Sequence, residues 1–205
     1  MKFPFLASFL VFVIWLSYEL HKSRKHEADA LKEFWQKERD ANSVRKKSLD
    51  SLAYITIPLE RLPMDTALEH EEIQALADTI RRLSDEKIVN LTGISNTDLK
   101  LTYGTANITL LTAYDQNYTL LASTLYRWGQ LLYREGYVSE AKQVLEFGIE
   151  TGTDVSGNYR LLAQIYQTEG DTERLRKLRD KAQSLHSLMK TPILNALKDI
   201  CHDAE

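Results

Sequence analysis

The chain has little of what builds chemistry or crosslinks. One cysteine, Cys201, stands in 205 residues, which excludes an intramolecular disulfide and agrees with a reducing compartment. Four prolines and eight glycines leave long stretches free to be helical. The five histidines, His21, His26, His70, His186 and His202, are scattered, and only the adjacent Cys201–His202 pair brings two soft ligands near each other. Neighbours on a helix point about 100° apart, so that pair is a poor chelate. There is no Gly-rich phosphate loop, no nucleophile elbow and no isolated acidic pair. A net charge of −3 gives no argument for nucleic-acid binding. The expectation is therefore no catalytic residue, no metal ligand and no cofactor.

What is present begins with an apolar N-terminus. From Phe3 to Tyr18 the only polar side chains are Ser8, Ser17 and the Tyr18 hydroxyl. A helix from Phe3 to Leu20 would be about 27 Å long at 1.5 Å per residue, just short of the roughly 30 Å hydrocarbon core. Pro4 is tolerable in its first turn, and Trp15 and Tyr18 suit an interface. A cleaved signal peptide is the competing reading. The single Lys2 before the apolar run, the absence of a small-x-small cleavage site and the flank Lys22-Ser23-Arg24-Lys25 favour an uncleaved anchor over residues 1–20. Lys22, Arg24 and Lys25 outweigh Lys2, which places the C-terminal bulk in the cytoplasm. Three Asn-x-Thr triplets, at Asn90, Asn107 and Asn117, would accept glycans only if that bulk faced a lumen.

Residues 21–53 read as a basic juxtamembrane helix. Between 21 and 47 there are nine Lys/Arg against five Asp/Glu, and Leu31, Phe34, Trp35 and Val44 form an apolar stripe too interrupted for a coiled coil. This is either a solvated stalk of about 40 Å or a helix whose Trp35 face lies on lipid. The prolines of Ile55-Thr56-Ile57-Pro58-Leu59-Glu60-Arg61-Leu62-Pro63 end it and force an extended path. Thr66-x-x-Glu69 then looks like a capping box before a helix with Ile73, Leu76, Ala77, Ile80 and Leu83 on one face. For residues 98–114 the threonines favour a strand, but a lone strand has no partner, so helix is expected, with Asn117 capping the next one.

From Leu125 a helical hairpin is written twice. Leu125, Trp128, Gly129, Leu132, Gly136, Ala141, Leu145 and Gly148 are followed thirty-four residues later by Tyr159, Leu162, Ala163, Tyr166, Gly170, Leu175 and Ala182. Small residues let helix backbones approach, and Gly136 and Gly170 sit where a helix must end. Ser139 and Asp171 are placed to cap the second helix of each pair. Thr191-Pro192 starts a short capping helix over 190–205. The period and the small–large alternation resemble the tetratricopeptide repeat (TPR). Arg179, where an apolar residue is usual, and Leu175, where a small one is usual, depart from it and imply a last hairpin that is looser or is packed by something C-terminal to it.

The resemblance implies an all-α domain over 54–205, with its clearest repeats at 122–155 and 156–189, and binding of a protein or peptide in a groove lined by first helices. Tyr126, Gln130 and Tyr133 from one hairpin and Arg160, Gln164 and Gln167 from the next would line that groove, each set on one helical face. The tyrosines could equally be half-buried packing residues. The function expected is a single-pass membrane adaptor or scaffold, with the bilayer contacted through residues 3–20 and a homo-oligomer possible. The alternative is an extracytoplasmic accessory or chaperone of a secretion or assembly machine.

Overall fold

The computed structural model describes residues 4–202. Apart from a single antiparallel bridge between Tyr54 and Val89, the described residues contain helices and no strand. The fold is all-α. It divides into two compact units, one made of residues up to 47 with 95–108, the other of 48–94 with 109–205.

The first unit is built on α1, Pro4–Ser43, an uninterrupted helix of 40 residues, about 60 Å long at 1.5 Å per residue. No proline after Pro4 and no glycine interrupts it. It runs straight through the boundary expected at residue 20. The anchor is not met as drawn: among the described residues no helix is long and apolar enough to cross a membrane. Phe3, where the expected span starts, lies outside the described residues. Past Leu20 the helix turns charged at Lys22, Arg24 and Lys25.

The helix expected over residues 21–53 stops at Ser43. The residues just beyond it are tied to α3, Asn96–Tyr103, and to the 3₁₀ turn Thr105–Asn107. Lys47 N–H donates to Tyr103 O at 3.0 Å, and the Asn107 amide donates to Lys47 O at 2.8 Å and Tyr103 O at 2.7 Å. Thr105 Oγ1 donates to Ala41 O, and Ala41 is fully buried. Charge completes the clasp. Lys37 pairs with Asp98 at 2.7 Å, and Glu38 receives both Lys100 and the Thr97 hydroxyl. These partners hold the Glu38 carboxyl below its ordinary range, the Lys100 bond first and Thr97 second. Lys37 and then Ser95 do the same to Asp98. Gly104 makes the approach possible: its φ is +88°, and a Cβ there would lie 2.2 Å from Arg45 O.

The stretch 98–114 is thus helical but not one helix. It breaks at Gly104, and its last residues open α4, Ile108–Arg134. Asn117 caps nothing. It lies inside α4, where its amide donates to Lys87 O. The Thr66–Glu69 capping box is also absent: 64–69 is turn, and α2, Glu71–Leu83, is capped by His70 Nδ1, which accepts from Ile73 N. Capping the helix at residue 70 leaves Thr66 O free to accept from Gln74 Nε2.

The second unit has two cores. In the first, Ile57, Leu62 and Met64, in and beside the Pro58–Pro63 segment, pack with Ile73, Ala77 and Ile80 of α2, Leu121, Leu125 and Trp128 of α4, and Val144 of α5, Val138–Glu150. In the second, Leu145 and Ile149 of α5 meet α6, Ser156–Glu169, α7, Thr172–Gln183, and α8, Lys190–His202. Small residues sit where backbones converge. A Cβ on Gly129 would meet the Leu145 side chain at 2.7 Å, and one on Gly148 would meet the Asn158 amide at 3.0 Å.

Gly170 is left-handed (φ 71°) and closes α6, after which Asp171 accepts from Arg174 N to cap α7. Ser139, however, is not a cap. Tyr137 N–H returns to Leu132 O, so α5 starts at Val138 and Tyr137 takes the cap position without a side-chain bond. Arg179 is exposed and Leu175 half-buried, while Leu178 and Ala182 fill the core instead. The buried Ile193 and Leu197 of α8 fall thirty-four residues after Tyr159 and Ala163 of α6, so α8 repeats the register of α6 and packs on α6 and α7.

Candidate partner-binding face

The face starts from residues on α4 and α6. Gly157, in the first turn of α6, carries no side chain, and the Tyr126 ring of α4 lies over it: a Cβ there would be 2.3 Å from the ring. One missing side chain thus brings the two helices together along the expected groove. Tyr126 is half-buried by this contact, and its hydroxyl accepts from Gln130 Nε2 at 3.1 Å. Tyr126 is therefore a packing residue with a polar edge. Gln130 and Tyr133 follow it along α4 and are exposed, Tyr133 at 39%.

On α6, Arg160 and Gln164 are exposed and Gln167 is half-buried. The Gln167 amide donates to Ile200 O of α8 at 3.0 Å. It is engaged in holding α8, whose helical carbonyl near the C-terminus needs a donor. Of the six expected residues, Tyr126 and Gln130 are joined to each other, Gln167 is joined to α8, and Tyr133, Arg160 and Gln164 present free surface. Side chains three or four apart share a face, so Gln130 with Tyr133 and Arg160 with Gln164 form two short rows on helices that touch at Tyr126 and Gly157.

A second concavity has no counterpart among the sequence expectations. A cleft of about 300 Å³ lies between α5, α6 and α7, lined by Glu146, Tyr166, Arg174, Lys177 and Lys181 above Leu178. Tyr166 Oη donates to Glu146 at 2.7 Å, and Arg174 donates to the same oxygen at 3.2 Å and lies over the Tyr166 ring. Burial, then the Glu146 bond, pushes the Tyr166 phenol above its ordinary range. Every charge in this knot except Lys181 already has a partner, Lys177 through Glu173 and Glu150 through Arg61. The knot joins three helices and offers little unpaired charge to a ligand. The basic spacing Arg174, Lys177, Lys181 is its one trace in the sequence.

The phenols of Tyr118 and Tyr159 lie near Asp154. Burial first and Asp154 second push Tyr159 up to about 12 and raise Tyr118 as well. All three Asn-x-Thr amides are engaged. Asn107 is fully buried, Asn117 holds Lys87 O, and Asn90 donates to Thr151 O and Gly152 O. Among the described residues, no three His, Cys, Asp or Glu side chains are grouped to hold a metal ion.

No protein-family model matches the chain, and no curated protein or solved structure matches it significantly.

Proposed function

We propose that this protein is a membrane-attached adaptor. The N-terminal end of α1 seats in a bilayer, and the α4–α6 face, on a TPR-like pair of hairpins, takes a protein or peptide partner. One observation carries the reading. Between Phe9 and Leu20, α1 exposes ten large apolar or aromatic side chains: Phe9, Leu10, Val11, Phe12, Val13, Ile14, Trp15, Leu16, Tyr18 and Leu20. They point to every side of the helix. A helix apolar all round is stable only inside a protein core or in lipid, and exposed apolar surface on this scale marks an interaction site. Lys22, Arg24 and Lys25 then meet headgroup phosphates and hold the C-terminal bulk on the cytoplasmic side.

The partner face is supported by Tyr133, Arg160 and Gln164: an aromatic ring for packing, a guanidinium for a carboxylate and an amide for a peptide backbone. The test is affinity capture with the full chain in mild detergent, against a Tyr133→Ala/Arg160→Ala variant. Partners captured by the first and lost by the second are expected, and identical partner sets would sink the face. A reporter fused after Glu205 and active only in the cytoplasm is expected. Activity on the opposite side would reverse the topology.

A further inference from the structure

Below its apolar end, α1 carries a second exposed apolar patch that the clasp with α3 leaves uncovered. Leu31, Phe34 and Trp35 are 57%, 52% and 51% exposed, and the Phe34 and Trp35 rings meet edge to face with centroids 5.4 Å apart. Leu31 and Trp35 are one turn apart, with Ala28 one turn before, so the three share a stripe. Further along, Ala41 is buried and Glu38 is engaged by Lys100 and Thr97. The free stripe therefore ends at Trp35.

We infer that the stripe Ala28–Leu31–Trp35 pairs with the same stripe of a second copy, side by side and parallel, when both chains sit in one bilayer. This rests on the membrane attachment proposed above. Two helices seated by the same end are parallel and at the same height. Trp35 then lies about 22 Å beyond Leu20 in both, level with its own counterpart and beyond the reach of lipid. Charge agrees with this pairing. In a parallel pair with Leu31 and Trp35 at the seam, Glu27 of one helix faces Lys32 of the other, the five-residue offset at which flanking charges meet. The patch is only three or four side chains wide, far below the roughly 800 Å² per partner of a stable interface. Confinement to the membrane plane must supply the effective concentration that contact area does not.

Cysteine scanning in membranes tests it. In a Cys201→Ser background, full-length chains carrying Ala28→Cys, Asp29→Cys, Leu31→Cys, Glu33→Cys or Trp35→Cys are oxidised in the membrane fraction. A disulfide needs Cβ atoms within about 4.5 Å, so dimer is expected for 28, 31 and 35 and is lost for 29 and 33, which point away. As a check that leaves the seam intact, Glu27→Lys reduces the Leu31→Cys dimer and Lys32→Glu added to it restores it. A flat profile, or no dimer at any position, in chains that survive an alkaline wash of the membranes overturns the pairing and leaves the attachment standing. Chains released by the wash overturn both.

Discussion

Gly104 shows how one residue can decide a local fold. It has no Cβ, and the Arg45 carbonyl occupies that place; its φ of +88° is one that other residues adopt only under strain. Gly104→Ala should cost about 1–3 kcal/mol from the positive-φ backbone alone, plus whatever displaces Arg45. The expected readout is faster hydrogen exchange at amides 96–103, with the cores of the other unit unchanged. The tyrosines give a second expectation. Tyr118, Tyr159 and Tyr166 have phenols raised above 10.0. A raised folded value means stability fully present below pH 10 and lost as pH climbs through the folded value, about 12 for Tyr159. Absorbance of tyrosinate should therefore lag for these three and rise together with the loss of helical circular dichroism.

Among elements, the hairpins from 125 to 182 were legible because their signals are local. Glycine at a helix end, aspartate at the next start and small residues opposite large ones each act within a turn or across one contact. Asn158 is where that contact is polar: buried on α6, it donates to Leu145 O of α5 at 2.9 Å. Asn158→Ala should cost about 0.5–1.5 kcal/mol by removing a buried hydrogen bond between α5 and α6, whereas Gln130→Ala should be nearly neutral, as urea midpoints would show. The groove was less legible. Nothing in the spacing of Gln167 reveals that α8 would take its amide, and Tyr126 was legible only as half-buried. The clasp of α3 on α1 was not legible at all, because Glu38 and Lys100 are sixty-two residues apart and no local pattern links them. Since Glu38 and Asp98 titrate below their ordinary values, their contribution is present at neutral pH. It is lost as pH falls through those lowered values. Protection of α3 amides, relative to that of α2, should fall once pH drops below the ordinary carboxylate range, and also in high salt.

For the molecule as a whole, composition and period indicated an all-helical chain with one anomalous end. They did not show that α1 is one rod from Pro4 to Ser43, since the shift from apolar to charged at Lys22 looks like a boundary and the helix runs through it. Membrane attachment should survive an alkaline wash in the full chain. Phe12→Asp/Ile14→Asp should release it, each charge costing about 2.5–3.5 kcal/mol in a helix centre; a double variant still sedimenting with membranes would remove the basis of the proposal. Of the three Asn-x-Thr asparagines, Asn107 is fully buried, so a glycan there would be incompatible with the closed clasp.

The clasp also bears on the order in which the chain folds. Residues 48–94 leave one unit and 109 rejoins their own after 95–108 has returned to α1. On a ribosome, both halves of the clasp emerge before α5 through α8 exist. Once it closes, it ties the ends of the 48–94 segment into a loop and removes much of the chain entropy that segment would otherwise lose later. The helices of 109–200 would then condense onto a segment already confined. Weakening the clasp should slow refolding of the larger unit even where it leaves the equilibrium stability of that unit unchanged.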